Sequence, residues 1–279
     1  MKRLVTGLLI CSLAAATTVI AGDVPGPLHT LTIATNSLEE TRLFYETGLG
    51  LRIEGPIKVP GYVKDAQRKL WQMPDDLDWS LYLLHRDSVE YAAQIRLLVL
   101  DKVMPAIRQS WKPNELGPYT IGFPNRRQEQ LDQDMRRLGF GALTAMERSK
   151  FESDEGREYD IFETVHTGPD FIAAVGVARG VTEPSIKPVN ETGMGGPGYS
   201  MMVVEDVDEM AAFMTNVIGY RIKSRRLWKS SGTKGALSRA RARGITEISG
   251  PVEVASPANG TRRHATLIAP NGVMFELFE

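Results

Sequence analysis

Groups able to carry chemistry are scarce in this sequence. It holds four histidines, His29, His85, His166 and His264, so acid–base work or metal ligation must draw on these and on carboxylates. His29 opens the alternating stretch LHTLTIAT. His264 lies in TRRHATLI, just ahead of NGVMFELFE, which carries Glu276. His264 reads either as a pocket acid or base or as an exposed strand residue, because general-base work needs hydrogen-bond reach to a substrate proton. His85 and His166 stand near strand ends beside turn residues and read as surface groups. Tyr119 and Tyr199 have the amphipathic character of groups that either contact a ligand or fill a core. The single cysteine, Cys11, falls inside an uncharged apolar run, Leu4 to Ala16, and its removal with that run leaves no thiolate nucleophile or thiolate metal ligand. A Gly-x-Ser-x-Gly elbow is absent, and the first turns lack the glycine fingerprint of dinucleotide binding.

The elements that must position these groups are organised around a repeat. LHTLTIATNSLEETRLFYETGLGLRI, Leu28–Ile53, is echoed by YSMMVVEDVDEMAAFMTNVIGYRI, Tyr199–Ile222, with Phe44 aligned to Phe213 and Gly50 to Gly219. Each copy reads as strand, acidic turn, amphipathic helix, glycine stop and strand. In the first copy Asn36-Ser37 caps the helix, Leu38, Leu43, Phe44 and Thr47 form its inward face, and Gly48 or Gly50 ends it. Further strands are expected at Leu51–Ile57, Asp78–His85 and Gln94–Leu100, which completes a βαβββ unit. A second unit follows, with strand Pro118–Phe123, helix Gln128–Leu138, and strands Ala142–Arg148, Tyr159–Val165 and Phe171–Val177. Beyond it come helix Asp206–Asn216, strand Arg221–Trp228, helix Ala236–Arg243, and strands Glu247–Val254, Arg262–Ile268 and Val273–Phe278. The expected architecture is α+β, with tandem βαβββ modules forming curved mixed sheets in two domains, the second shortened. Residues 25–180 form the first domain, 181–195 a Pro- and Gly-rich linker, and 196–279 the second domain.

Composition narrows the partners. The net charge is −1, with 33 basic and 34 acidic side chains, so nothing points to nucleic acid or an anionic membrane surface. Lys2 and Arg3, the apolar run and the small residues before Gly22 have the layout of a cleavable secretory signal over residues 1–22. The run is shorter than the ~20 apolar residues a bilayer span needs. A secreted or periplasmic protein without a transmembrane segment is the expectation, with a small-molecule ligand and a homodimer as candidate partnerships.

The motifs LHTLTIATNSLEETRLFYETGLGL and APNGVMFELFE, on a duplicated βαβββ plan, resemble the vicinal oxygen chelate superfamily of glyoxalases, bleomycin-resistance proteins and extradiol dioxygenases. That resemblance implies paired modules curled into a cup around a divalent metal, held by His, Gln or Glu on the first and last strand of each module. The metal, Fe, Mn, Ni or Zn, would act as a Lewis acid toward two adjacent substrate oxygens. On this plan His29 and Glu276 stand at metal-ligand positions. Gln94 or Arg96 occupies the fourth-strand carboxylate position, Tyr119 or a neighbour and Tyr199 the later first-strand positions, and Ala173 or Ala174 the closing position of the second module. Arg96, Tyr119, Tyr199 and His264 are the expected substrate-contacting residues. The readings left open are a metal-dependent lyase, isomerase or dioxygenase, a binding protein that keeps the cup with a degenerate metal site, and a chain working through its first domain or as a dimer.

Overall fold

The structure, a computed structural model, describes residues 28–89, 92–112, 115–152, 158–179, 189–220, 222–223, 226–227, 248–256, 260–268 and 274–278. Strand β1 (Thr30–Thr35) leads into α1 (Leu38–Thr41), where Ser37 Oγ accepts the Glu40 N–H at 3.2 Å. The helix then widens into a π-helical segment, Arg42–Gly48, closed by the Leu49 N–H on the Phe44 carbonyl. Widening rotates the inward face from the expected one. Phe44 and Tyr45 are buried, and Leu43, expected inside, is 40% exposed. Gly50 then turns the chain at φ +69°.

Strand β2 (Arg52–Ile57) follows, then β3 (Trp79–His85) and β4 (Gln94–Leu100). Between β2 and β3 lies a helix the sequence reading missed, α2 (Gly61–Leu70), with Val63, Gln67 and Leu70 buried. The sheet order is β1-β4-β3-β2, with β1 parallel to β4 and the other pairs antiparallel. The second module repeats this plan with β5 (Gly117–Asn125), α3 (Gln128–Arg137), β6 (Glu147–Glu152), β7 (Glu158–His166) and β8 (Ala173–Arg179). Its order is β6-β7-β8-β5, again with the first and last strands parallel. Strand β9 (Tyr199–Val203) extends it as an antiparallel neighbour of β5. Beyond this edge α4 (Val207–Phe213) again runs into a π-helical segment, Met214–Ile218, and ends at Gly219 with φ +89°. Its cap is Asp206, whose carboxylate accepts the Glu209 N–H at 2.8 Å.

Several boundaries differ from expectation for local reasons. The strand expected at Ala142–Arg148 starts at Glu147, because the Thr144 hydroxyl takes the Val165 N–H that a ladder partner would have used. The strand expected from Phe171 starts at Ala173, because Pro169–Phe171 form a 3₁₀ turn with Asp170 and Phe171 both left-handed, at φ 55° and 59°. The strand expected at Arg221–Trp228 folds back, with β10 (Ile222–Lys223) antiparallel to β11 (Arg226–Leu227). Gly195 and Gly198, at the end of the Gly-rich stretch, are buried and donate to the Pro124 and Gly122 carbonyls of β5. The helix expected at Ala236–Arg243 lies outside the described residues. The chain closes with β12 (Ile248–Ser256), β13 (Gly260–Ile268) and β14 (Met274–Phe278), an antiparallel sheet whose β12 runs beside α2.

One apolar cluster joins the two modules. Ile33, Phe44, Tyr45, Leu84, Ile95 and Leu97 from the first pack with Ile121, Phe123, Leu131, Met135 and Phe140 from the second. The Phe44 ring meets Tyr45 and Phe140 edge-on at 4.9 and 4.8 Å, a geometry that contributes beyond simple burial. The helices approach so closely that a Cβ added at Gly48 would lie 2.6 Å from Met135 Sδ.

Candidate functional site

In each module one sheet face carries this cluster and its helix. The alternation of β1 leaves the other face to Thr30 and Thr32, and that of β4 to Gln94 and Arg96. Parallel register sets Thr30 opposite Gln94 and Thr32 opposite Arg96. A polar ladder results. His29 Nδ1 lies 2.7 Å from Thr30 Oγ1, the Gln94 amide donates to the same hydroxyl at 3.4 Å, and Arg96 donates to Thr32 Oγ1 through Nε at 3.0 Å and Nη2 at 2.8 Å. His29 and Thr32 are exposed and Arg96 is buried, so the ladder grades from a solvent rim to an anchored cation.

The covering comes from α2 and the residues after it. Trp71 lies under the Arg96 guanidinium at 4.8 Å and tilts against Trp79 at 5.9 Å. Lys64 and Arg68 flank Trp79 at 5.3 and 5.4 Å, and Lys64 also bonds Asp78 at 2.7 Å. Stacking on an indole fixes a guanidinium in its plane and leaves its charge in place.

The equivalent pair in the second module is Thr120 and Ala173, which face each other in register. This face is more apolar. Ile161, Val165 and Ala173 pack with Trp111 and Tyr199, and the Tyr199 ring lies so close over Gly122 that a Cβ there would be 2.2 Å away. The Thr120 hydroxyl and the Trp111 indole N–H are buried without a hydrogen-bond partner among the described residues. Tyr119 lies beneath buried Arg108, 4.9 Å from the guanidinium carbon to the ring.

The structure thus brings His29, Gln94 and Arg96 to one strip and sets Tyr119 and Tyr199 in the other module. His264 and Glu276 occupy diagonal register positions on β13 and β14, since His264 pairs with Phe278 and Thr266 with Glu276. For a divalent metal, the strip offers one imidazole and one neutral amide, with no carboxylate and with the permanent cation of Arg96 beside them, and Ala173 brings no donor. This set does not fit a cation. No group of three or more His, Cys, Asp or Glu converges among the described residues.

Two further histidines, His85 and His166, lie outside the strip. His85 is partly exposed between Glu54, at 3.3 Å, and Asp87, at 3.2 Å. His166, read from sequence as a surface group, is buried under α3, with Nε2 3.1 Å from Asp132 Oδ1. Burial pulls its pKa below the ordinary imidazole range, against the opposing pull of Asp132. Asp170, in its left-handed turn, is shifted the other way. Desolvation raises its pKa although Thr35 and the Asn36 N–H both bond to it.

The residues sequence reasoning missed are Thr30, Thr32, Trp71 and Trp111. Thr30 and Thr32 were legible as the polar half of the β1 alternation. Trp71 had a weaker signal, the Val63, Ala66, Leu70 spacing that marks a helix after Pro60.

No family model and no curated protein matches the sequence. Solved structures do match. A point variant of glyoxalase I from Zea mays aligns over 91% of this chain and 92% of its own, with a TM-score of 0.55 and 10% identity. A second maize glyoxalase I variant gives 0.52 over 90% and 93%, at 11% identity. A candidate dioxygenase from Bacillus subtilis gives 0.50 over 90% and 84%, at 13% identity. At such identities the likeness establishes architecture and leaves chemistry to the site itself. The chain has a glyoxalase/dioxygenase-like fold.

Proposed function

We propose that this chain is an exported binding protein for a small oxygen-rich organic molecule, with the β1–β4 ladder as its recognition strip. The observation that carries the reading is the run of donors along one parallel strand pair. Arg96 supplies a fixed cation for a carboxylate or phenolate oxygen, and Gln94 and His29 supply neighbouring hydrogen-bonding groups. The maize proteins with the same fold are glyoxalases, which makes a compact oxygenated ligand the natural class. A divalent metal is no part of this strip.

The test is a thermal-shift and calorimetric screen with a small α-keto carboxylate, an α-hydroxy carboxylate and catechol. A ligand-dependent rise in melting temperature is expected, lost in Arg96→Gln and reduced in Thr32→Val. Thr32→Val also removes the acceptor of the buried Arg96, so Thr32→Ser, which keeps that hydroxyl, is the folding control and should retain binding. A folded protein whose melting temperature no probe moves would falsify the proposal. Export is checked by the N-terminal sequence of the protein recovered from the cell envelope, with cleavage before Gly22 or Asp23 expected.

A second reading rests on the diagonal register of His264 and Glu276, positions about 7–8 Å apart on neighbouring strands. On this reading the chain is a metal-dependent enzyme of the same fold class, with His29 as a further donor. Elemental analysis of the purified protein decides between the two. Stoichiometric metal lost in His264→Ala and Glu276→Ala favours the enzyme, and a metal-free protein that still binds its ligand favours the binder.

A further inference from the structure

On the helix side of the first module, away from the ladder, a cleft of about 250 Å³ opens between the end of the π-helical segment, Thr47 to Gly50, the start of α3, and the loop Asn190 to Met194. Two guanidinium groups line it, those of Arg86 and Arg127. Arg86 is 6% exposed. Its contacts are neutral carbonyls: Nη1 donates to Gly50, Nη2 to Leu49 and Nε to Gly195 at 3.2 Å. It caps the helix end and ties it to the Gly-rich strap, and no carboxylate bonds it among the described residues. Its sequence neighbour Asp87 is engaged by His85 at 3.2 Å and Arg52 at 3.8 Å.

Arg127 stands across the cleft. One of its terminal nitrogens holds Asp134 at 2.8 Å, and its Nε is buried without a partner among the described residues. Asp134 is also bonded by Arg137 and, at 2.9 Å, by Gln130. Arg127 and Arg137 thus share the one carboxylate of Asp134, and Arg86 lines the same cleft bonded only to carbonyls among the described residues. The repulsion is felt at Arg86, whose pKa is pulled down to about 10, first by burial and then by the charge of Arg127. Two cations lining one cleft, one of them bonded only to carbonyls and the other sharing its single carboxylate with Arg137, form an arrangement that lacks an anion.

We propose that this cleft is a binding site for a small oxyanion, a phosphoryl or carboxylate head group clamped between Arg127 and Arg86. The anion accepts from the terminal N–H groups of Arg127 that Asp134 leaves over and from the guanidinium hydrogens of Arg86 that the carbonyls leave over, in the forked geometry guanidinium groups favour. It shares no residue with the β1–β4 ladder, so either site can fail without the other.

The experiment is isothermal titration of the full chain with inorganic phosphate, and separately with acetate, in a chloride buffer of low ionic strength. Saturable phosphate binding is expected, weakened about tenfold in Arg127→Gln, as the loss of one charge-assisted hydrogen bond implies. Asp134→Asn removes the competing carboxylate and keeps the side-chain shape, so binding tightens several-fold. That gain is the safeguard should Arg127→Gln lower stability. Competition by acetate identifies a general oxyanion site, and binding of phosphate alone a phosphoryl site; either supports the proposal. A folded protein that binds neither anion, or binds phosphate equally in wild type, Arg127→Gln and Asp134→Asn, overturns it.

Discussion

His166, which is buried, and Asp170, which is partly buried, have pKa values shifted in opposite directions by desolvation. The folded pKa of His166 lies below the unfolded value, so the folded state favours the neutral ring. Its contribution is complete above the unfolded pKa, about 6.5, and is lost as pH falls from there through the folded value. The folded pKa of Asp170 lies above its unfolded value. Its favourable contribution is complete below the unfolded pKa, about 3.9, and disappears as pH rises through the folded value. Ionised Asp170 is therefore a cost at neutral pH. Asp170→Asn is expected to raise the melting temperature at pH 7 and to have little effect at pH 4. Asn also tolerates the left-handed φ of 55° at this position. His166→Asn should flatten the decline of melting temperature between pH 7 and pH 5. Melting curves of the three proteins from pH 4 to pH 7 check both statements, and an unchanged pH profile in either variant contradicts its assignment.

At the scale of elements, the parts legible in the sequence were those whose pattern and partners are local. Strands β1 and β4 fall where alternation places them, and the ladder follows from their register. The turn into α1 was legible because Ser37 and Glu40 are three residues apart. What was not legible depends on contacts distant in sequence. The π-helical widening after Thr41 exposes Leu43 and buries Tyr45, and an α-helical period cannot show it. Trp71 beneath Arg96 and Trp111 over the second sheet face are brought in by connections between strands, so nothing near Arg96 or Thr120 in sequence announces them. Gly122 tests this kind of contact. An added Cβ would meet the Tyr199 ring at 2.2 Å. Gly122→Ala is expected to destabilise the protein by roughly 1–3 kcal/mol, the usual cost of overpacking. Combining it with Tyr199→Ala should cost less than the sum of the two single changes, since the clash is then removed. Denaturant titrations of the four proteins measure that coupling, and strict additivity would show that the ring does not rest on Gly122.

For the whole molecule, the decisive feature is that the two modules share one core. Phe44 belongs to the first module by sequence, and its ring packs against Phe140 of the second and against Tyr45, which in turn tilts toward Phe123. Neither module can lose its side of this cluster without exposing the other, so residues 28–179 are expected to unfold as one cooperative unit. Phe44→Ala removes the fully buried ring at the centre, at a cost of about 3–5 kcal/mol. For a unit of this size that lowers the melting temperature by roughly 10 °C. The loss should register equally in both modules. Amide exchange on β3 and β4, in the first sheet, and on β5 and β8, in the second, should accelerate together and by the same factor in Phe44→Ala. Acceleration confined to the first sheet would mean that the modules fold independently. The ladder on β1 and β4 would then be held by its own module alone, and ligand binding there would survive changes in the second.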